Sequence, residues 1–248
     1  MLNIVLPMAG LGSRFSRAGY KIPKPFINVC GKPMIQVVVE NLRPKVPHRF
    51  IFICRHEHII EYNADTLLRN ITAEPIIISV EKVTDGQLSS AMLAEEFIDN
   101  DQPLLTANTD QYIDFKIDNF LDMANEKNLD GLIMTMEASD PKWSYVRLDP
   151  DTNLVTETAE KKVISNEATV GIYYFKRGRE FVKSGRVLIH EDKRVNGEFY
   201  ICPVYNYMIN EGKRIGIYNI GREQSGMYGL GTPEDLKLFL SQPISKEV

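Results

Sequence analysis

Apolar and polar positions alternate in blocks along the first 110 residues, and the blocks have the lengths of strands and helices in turn. Continuously apolar runs predict four buried strands, at 3–8, 49–54, 75–80 and 103–106. Segments with apolar residues at helical spacing predict three helices between them, at 33–42, 56–69 and 89–98. Strands that are apolar on both faces belong to a parallel sheet covered by helices. The first part of the chain therefore predicts an α/β fold.

After residue 110 the pattern changes to that of a mixed sheet. A helical pattern at 118–126 is followed by strand-like runs at 131–137, 145–148, 155–158 and 169–175. Helical patterns return at 178–182, 199–209 and 233–240. No repeat, low-complexity tract or long linker separates the parts. We predict a single α/β domain over residues 1–248, in which a mostly parallel mixed sheet is flanked by helices. Its ligand site is expected at the carboxyl ends of the early strands.

Composition agrees with a folded domain. Of the 248 residues, 44% are hydrophobic and 25% are charged, which is enough apolar side chain to bury a core. No apolar run approaches the roughly 20 residues that cross a bilayer, and the first residues lack a basic segment followed by a hydrophobic one. We therefore expect a cytoplasmic protein with no membrane partner.

The net charge is −4, and it is distributed unevenly. A mildly acidic chain argues against nucleic acid as a partner, because binding to a phosphate backbone normally requires an excess of Lys and Arg. Residues 1–39 nevertheless contain no Asp or Glu and five basic residues, Arg14, Arg17, Lys21, Lys24 and Lys32. This segment predicts a local anion-binding site.

Cysteine and histidine contribute no recognisable metal motif. Cys30, Cys54 and Cys202 are widely spaced among apolar neighbours, so we expect reduced thiols packed in the core. His56 and His58 lie two positions apart at the start of a predicted helix and would not share one face of it. We therefore expect both imidazoles on the surface.

A glycine loop follows the first predicted strand. Its sequence Gly10-Leu11-Gly12-Ser13-Arg14-Phe15 agrees with a dinucleotide fingerprint up to the second glycine, but Phe15 stands where the third would be. A nicotinamide-binding site is therefore disfavoured, and the spacing of a Walker loop is absent. Backbone N–H groups of such a turn can still approach phosphates, with Arg14 and Lys24 supplying positive charge.

A longer series of motifs resembles the sugar-nucleotide pyrophosphorylases, the nucleotidyltransferases typified by glucose-1-phosphate thymidylyltransferase. The series consists of Gly10-x-Gly12-x-Arg14, Pro23-Lys24-Pro25, Gly31-Lys32-Pro33-Met34, Thr84-Asp85-Gly86-Gln87, Asp110, Trp143-Ser144-Tyr145-Val146, Glu160-Lys161, Gly171-Ile172-Tyr173, Gly197-Glu198 and Gly231-Thr232-Pro233. The resemblance implies a Rossmann-like, glycosyltransferase-A-like fold. Residues 1–115 would form its nucleotide-binding half and residues 116–248 its acceptor-binding half. It also implies a possible homo-oligomer.

The resemblance further implies transfer of a nucleoside monophosphate from an NTP to a phosphorylated acceptor such as a sugar 1-phosphate, with release of pyrophosphate. Such a reaction belongs to nucleotide-sugar and polysaccharide biosynthesis. Arg14 and Lys24 would be the catalytic cations, and Asp110 would bind Mg²⁺. The nucleotide-binding residues would be Ala9, Gly10, Gly12, Ser13, Gly86, Gln87 and Asn108. The acceptor-binding residues would be Ser144, Glu160, Lys161, Gly171 and Glu198.

Three positions depart from the family pattern. Gly229 stands where the family commonly has a second metal aspartate, Ser144 replaces a glycine, and Lys162 replaces a proline. The Thr84–Gln87 motif resembles that of pyrimidine-specific relatives. The motifs do not decide between two classes of acceptor. One is a sugar phosphate; the other is a small non-sugar phosphate, resembling phosphocholine or a phosphoamide, used by cytidylyltransferases in cell-surface polysaccharide modification. The missing aspartate also leaves open a non-catalytic nucleotide-binding module.

Overall fold

One large sheet organises the molecule, and the computed structural model describes all of residues 1–248. The strands are β1 (Leu2–Pro7), β2 (Asn28–Val29), β3 (Lys32–Pro33), β4 (His48–Arg55), β5 (Ile76–Val80), β6 (Leu104–Ala107), β7 (Gln111–Ile113), β8 (Gly131–Glu137), β9 (Ser144–Leu148), β10 (Val155–Glu160), β11 (Glu167–Phe175), β12 (Ile215–Glu223) and β13 (Gly226–Gly229). The helices are α1 (Ser13–Arg17), α2 (Met34–Asn41), α3 (His56–Tyr62), α4 (Ala64–Ile71), α5 (Gln87–Met92), α6 (Glu95–Ile98), α7 (Ile117–Glu126), α8 (Gly178–His190), α9 (Val204–Asn210) and α10 (Pro233–Leu240). Two 3₁₀ turns cover Lys24–Phe26 and Pro243–Glu247.

The sheet has eleven strands, nine of them in the order β5-β4-β1-β6-β11-β8-β12-β13-β7, while β9 pairs with β11 and with β10. Strands β5, β4, β1 and β6 are parallel to one another. Strand β11 is antiparallel to β6, β8 and β9, and β12 is parallel to β8 and β13. The predicted α/β fold with a mostly parallel mixed sheet is therefore confirmed. Because β11 pairs with β6, strands from 1–115 and from 116–248 form one continuous sheet.

Successive residues of the central strands point to opposite faces of the sheet, and each face has its own core. Ile4 and Leu6 of β1 pack with Phe50 and Phe52 of β4 in a cluster of 31 buried residues. Val5 of β1 belongs to a second cluster of 24 residues on the other face. This is the arrangement expected for strands that are apolar throughout and covered on both sides. A third, smaller cluster of nine residues includes side chains of α1, α2, β13 and α10.

Several predicted helices have different boundaries in the structure. The 56–69 segment is two helices, because Asn63 adopts a left-handed backbone conformation with φ of 49° between α3 and α4. The 89–98 segment is likewise divided into α5 and α6. The pattern at 178–182 is only the first part of α8, which continues to His190. Element types were thus predicted better than element ends.

The predicted helix at 199–209 is wrong at its beginning, because α9 starts only at Val204. The N–H of Phe199 donates to the Asp85 carbonyl at 2.7 Å, and its carbonyl accepts from the Leu88 N–H at 3.0 Å. These long-range bonds hold Phe199 outside a helix. The sequence pattern also gave no indication of α1, β7, β12 or β13. Each of these elements except β12 is at most five residues long.

The fold corrects two expectations about single side chains. His58 is only 2% exposed and packs against the rings of Phe26 and Tyr62, so it is not a surface residue. Burial lowers its pKa. Cys54 and Cys202 are buried free thiols as expected, but Cys30 is exposed.

The longest helix, α8, has 13 residues, and none of the ten helices combines the length and apolar character of a membrane span.

Candidate active site

The glycine loop leads from the carboxyl end of β1 directly into α1. Gly12 has φ of 59°, and a Cβ at this position would lie 3.1 Å from Cβ of Lys24. Glycine is therefore favoured both by the left-handed backbone and by the close approach of the Lys24 segment. Ser13 and Arg14 follow in the first turn of α1, and both are exposed. The loop thus brings Arg14 and Lys24 to one end of the sheet.

The two predicted catalytic cations differ in their partners. Lys24 donates through Nζ to Oδ2 of Asp110 at 2.9 Å, and the two side chains are 21% and 28% exposed. Arg14 has no hydrogen bond or ion pair from its guanidinium in the described chain. Part of the basic excess of residues 1–39 is therefore neutralised within the protein, since Lys32 also pairs with Glu40 at 2.7 Å. Arg14 stays available for an external anion.

A second segment, Thr84–Gln87, faces the glycine loop. Gly86 has φ of 112°, and a Cβ there would lie 2.5 Å from the carbonyl oxygen of Phe199. Gln87 donates through Nε2 to Oδ1 of Asn108 at 2.7 Å. The backbone N–H of Asn108 in turn donates to the carbonyl of Gly171 on β11 at 3.0 Å. This chain of contacts links the nucleotide-binding and acceptor-binding residues predicted from the sequence.

Ser144 and Glu160 are directly opposite each other in the β9–β10 pair. The Ser144 hydroxyl donates to the Glu160 carboxylate. Burial raises the pKa of Glu160, while the hydrogen bond from Ser144 and the charge of Lys161 act in the opposite direction. Glu160 is therefore a half-buried carboxyl group held in a fixed position by its strand partner.

Lys161 follows β10 with φ of 53°, in the left-handed region. Its Nζ donates to the hydroxyl of Tyr200 at 2.6 Å, and this hydroxyl donates to Oε2 of Glu198 at 2.8 Å. Burial and the bond to Glu198 raise the pKa of Tyr200. Tyr200 was not predicted from the sequence, because it lies within an apolar run with the pattern of a helix.

Two cavities form at this end of the sheet. The loop cavity, of about 310 Å³, is lined by Pro7, Met8, Ala9, Gly10, Leu11, Gly12, Ser13, Lys24, Pro25, Val83, Thr84, Gly86, Gln87, Ser90, Ala107, Asn108, Thr109, Asp110, Glu198 and Ile201. All seven residues predicted to bind nucleotide line it, together with Lys24 and Asp110. Glu198, predicted on the acceptor side, also lines the loop cavity.

The strand cavity, of about 270 Å³, is adjacent. It is lined by Arg14, Gln87, Asn108, Asp110, Gln111, Lys142, Trp143, Ser144, Glu160, Lys161, Thr169, Gly171, Tyr173, Tyr200, Met227, Gly229, Gly231 and Asp235. It contains the other four residues predicted to bind the acceptor. Gln87, Asn108 and Asp110 line both cavities. The two cavities therefore meet at these three residues, and the Asp110 carboxylate there is paired with Lys24 of the loop cavity.

Several side chains of the strand cavity were not singled out from the sequence, and four of them have polar groups that bear on the site. They are Gln111, Tyr200 and Asp235, which no motif marks, and Trp143, which was noted only as part of a longer motif. Nε2 of Gln111 and Nε1 of Trp143 are buried donors without a partner in the protein. Asp235 is a first-turn acid of α10, a common position for acids that indicates nothing about a site.

A larger cavity of about 730 Å³ lies elsewhere, beside α2, β7 and the start of α7. None of the predicted site residues lines it. Of the three basic residues in its lining, Lys32, Arg43 and Lys116, Lys32 is paired with Glu40, which also lines the cavity. Size alone therefore does not identify the active site. The charged and hydrogen-bonding residues described above line the two smaller cavities instead.

Candidate metal ligands at the two cavities are few. No three His, Cys, Asp or Glu side chains cluster anywhere in the described chain, residues 1–248. Asp110 lines both cavities, and a Cβ at Gly231 would lie 2.8 Å from its Oδ2. Because the protein offers so few ligands, a cation at Asp110 would take most of its coordination from substrate oxygens or water, as Mg²⁺ commonly does.

The fold and these cavities are those of an α/β protein that presents cations and a carboxylate at the carboxyl ends of parallel strands. Residues 3–205 match the family model described as Nucleotidyl transferase, and the chain therefore belongs to the nucleotidyl transferase family. The family resemblance inferred from the motifs is thereby confirmed.

Among curated relatives, the chain is 26% identical over 184 residues to the mannose-1-phosphate guanylyltransferase catalytic subunit beta of Danio rerio, covering 70% of this chain and 49% of that protein. It is 23% identical over 256 residues to the bifunctional protein GlmU of Thermodesulfovibrio yellowstonii, covering 96% and 51%. The chain thus spans about half the length of these relatives. Among solved structures, a nucleoside-diphosphate-sugar pyrophosphorylase from Vibrio cholerae RC9 is 26% identical with a TM-score of 0.83, covering 96% of this chain and all of that one.

Proposed function

We propose that this protein transfers a nucleoside monophosphate from a pyrimidine NTP to a phosphorylated small-molecule acceptor and releases pyrophosphate. One observation carries the proposal: the loop cavity and the strand cavity meet at Asp110, which Lys24 contacts from the loop cavity, while the unpaired Arg14 lines the strand cavity. Two anionic substrates in these cavities would approach each other where the protein supplies positive charge.

The reaction requires no general base from the protein. The second pKa of a phosphomonoester is near 6, so an acceptor oxygen is already anionic at neutral pH. That oxygen forms a new bond to the α-phosphorus, while the bond from the α-phosphorus to the β-phosphate oxygen breaks and its electron pair leaves with pyrophosphate. The protein's task is to hold two mutually repelling anions in line and to neutralise the charge of the leaving group. Cations without a catalytic histidine suit that task.

Each charged residue then has a distinct role. Arg14 and Lys24 stabilise the triphosphate and the leaving pyrophosphate, and Lys161, positioned by Tyr200, binds the acceptor phosphate. We propose that Asp110 binds Mg²⁺, which supplies additional positive charge to the polyphosphate when it is bound. Gly10 supports the nucleotide role of the loop, because a Cβ there would meet nothing within 4 Å and its backbone is open to a ligand.

A sugar 1-phosphate is the leading acceptor, in keeping with the names of the relatives. The lining of the strand cavity also favours a second candidate, a small non-sugar phosphate. The hydroxyl of Ser144, fixed by Glu160, takes up space where the resembled family has a glycine. A smaller acceptor would fit a cavity that is narrowed by the Ser144 side chain.

The test is an activity matrix of each NTP against sugar and non-sugar phosphates, with Mg²⁺ and pyrophosphate as readout. We expect release with one pyrimidine nucleotide and a restricted set of acceptors. Lys24→Ala should slow the release roughly 100-fold. Lys21→Ala, at an exposed neighbour outside both cavities, should leave the rate unchanged. Nucleotide binding without pyrophosphate release across the whole matrix would indicate a non-catalytic module instead.

A further inference from the structure

A carboxylate close to Gly229 has no partner within the protein. Gly229 is the last residue of β13, and a Cβ added to it would lie 3.4 Å from both Cγ and Oδ2 of Asp235. The carboxylate of Asp235, on the first turn of α10, therefore lies beside the space that a side chain at position 229 would occupy. The backbone N–H of Asp235 donates a hydrogen bond to Oγ1 of Thr232 at 3.1 Å. Its carboxylate accepts no hydrogen bond and forms no ion pair.

The same short segment brings this carboxylate and Asp110 to one cavity. Gly229 pairs with Gln111 across the β13–β7 ladder, and the N–H of Leu230 donates to the carbonyl of Asp110 at 2.7 Å. Two residues after Gly229, a Cβ at Gly231 would lie 2.8 Å from Oδ2 of Asp110. The two glycines thus leave room for one carboxylate each, and both carboxylates line the strand cavity.

The cavity also contains a buried donor that points to an oxygen-rich ligand. Gln111 is only 6% exposed, and its Nε2 has no hydrogen-bond partner in the protein. An unpaired buried amide is costly unless a ligand or water satisfies it. Carboxylates seek a cation, whereas an amide N–H seeks an oxygen. A divalent cation carrying phosphate oxygens satisfies both, and carboxylate oxygen is the ligand type that Mg²⁺ prefers.

We propose that Asp235 is the second carboxylate ligand of the divalent cation held by Asp110, in the space left by Gly229. This inference rests on the proposed function for the role of the cation, but the metal site itself does not depend on turnover. It accounts for the departure at Gly229: the carboxylate comes from the first turn of α10 instead of from the end of β13. The Nζ of Lys24, 2.9 Å from Oδ2 of Asp110, shows that this carboxylate already binds a cation within the protein.

The chain contains its own probe for metal in this cavity. Trp143 is the only tryptophan, and it lines the strand cavity together with both carboxylates. Paramagnetic Mn²⁺ bound there should quench its fluorescence, and Mg²⁺ should reverse the quenching. The experiment titrates the full chain with Mn²⁺ in the absence of nucleotide. Asp235→Asn is compared with Glu234→Gln, its exposed neighbour, which removes the same charge from the same helical turn. Thermal melts establish that each variant is folded.

We expect Asp235→Asn and Asp110→Asn each to weaken Mn²⁺ binding at least about tenfold, and Glu234→Gln to leave it unchanged. Adding Gly229→Asp to the Asp235→Asn variant should recover affinity, because the new carboxylate would occupy the same space. The proposal is overturned if wild type shows no Mg²⁺-reversible quenching in the millimolar range. It is also overturned if Asp235→Asn binds like wild type, or if Glu234→Gln weakens binding equally.

The outcome is separable from that of the proposed function. Quenching that depends on Asp235 in a protein that releases no pyrophosphate would leave the metal site standing and remove the catalytic proposal. Pyrophosphate release by the wild type, together with unchanged Mn²⁺ affinity in Asp235→Asn, would leave the catalytic proposal standing and remove the role of Asp235 as a ligand.

Discussion

Arg14 and Lys24 belong to one short basic segment but have different electrostatic surroundings. Lys24 is paired with Asp110, whereas Arg14 lines the strand cavity without an acidic partner. An unpaired cation can stabilise an incoming anion without first losing an ion pair. Lys24 must instead break its ion pair with Asp110, or contact both groups at once, when a phosphate binds. We infer that both residues act on the leaving pyrophosphate, while Lys161, which lines the strand cavity beside Glu160, acts on the acceptor.

This division predicts different kinetic signatures. Arg14→Ala and Lys24→Ala should each lower kcat by roughly 100-fold, because they remove charge stabilisation that grows in the transition state. Lys161→Ala should mainly raise the acceptor KM, by about tenfold or more, because it removes a charged contact that is already present in the ground state. Steady-state kinetics measure the difference. Arg17→Ala and Lys162→Ala are matched controls, since both residues are exposed and line neither cavity. The reverse pattern would show that the two phosphate sites are interchanged.

The buried imidazole of His58 predicts a dependence of stability on pH. Burial, with a smaller contribution from Arg55, lowers its pKa in the folded state below the ordinary value of 6.5. At pH values between the pKa of His58 in the folded state and its ordinary pKa in the unfolded state, the unfolded chain binds more protons. The free energy of unfolding therefore falls as the pH drops below about 6.5. Denaturant unfolding at pH 7.5 and 5.5 should therefore show a smaller difference in His58→Phe than in wild type. His56→Gln, at a more exposed imidazole, should keep the wild-type difference, and an equal reduction in both variants would contradict the assignment.

At the scale of elements, a backbone junction with Phe199 fixes the position of the Thr84–Gln87 segment. Gly86 is packed against Phe199, and the bonds from Phe199 N–H to Asp85 and from Leu88 N–H to Phe199 flank it. The start of α5 and the approach to α9 are therefore fixed together. This junction positions Gln87 at the boundary of the two cavities.

Gly86→Ala should destabilise the protein by about 2 kcal/mol or more and weaken nucleotide binding. It adds a Cβ at 2.5 Å from a carbonyl oxygen in a backbone conformation that favours glycine. Gly197→Ala is the control, since its φ is also positive but a Cβ there would meet nothing within 4 Å. It should cost only the backbone strain, about 1 kcal/mol. Denaturant unfolding and nucleotide titration measure both effects, and equal losses in the two variants would argue against a packed junction.

The elements that the sequence pattern predicted are those in which nearly all residues are buried, on both faces. β1, β4 and β6 are apolar on both faces, which is visible without knowing their neighbours. β7 and β13 have three and four residues, too few to show a period, and they are strands because they pair with each other. The beginning of α9 is likewise set by Asp85 and Leu88, more than a hundred residues away. Such boundaries depend on tertiary contacts.

At the scale of the whole molecule, the insertion of β11 between β6 and β8 brings the two cavities together. β11 carries Gly171 to the Asn108 backbone and supports β9, which in turn pairs with β10 and so positions Glu160 and Lys161. The two halves of the chain consequently share a site rather than forming separate units.

This assembly also explains which site residues the sequence could indicate. The glycine loop, Thr84–Gln87 and Glu160-Lys161 are local motifs, and family resemblance suffices to identify them. Tyr200, Gln111 and Asp235 have no local signal. They line the strand cavity only because α10, β7 and the segment before α9 converge on it. The roles of all these residues stay predictions until they are measured.

The most direct test of the central claim is a ³¹P NMR time course of the protein with Mg²⁺ and the NTP and acceptor selected by the activity matrix. We expect pyrophosphate and an NDP-linked acceptor to appear in equal amounts, and both to form roughly 100-fold more slowly with Lys24→Ala. Conversion of the NTP to free NMP without a linked product would contradict transfer between the two cavities, as would binding of both substrates with no reaction.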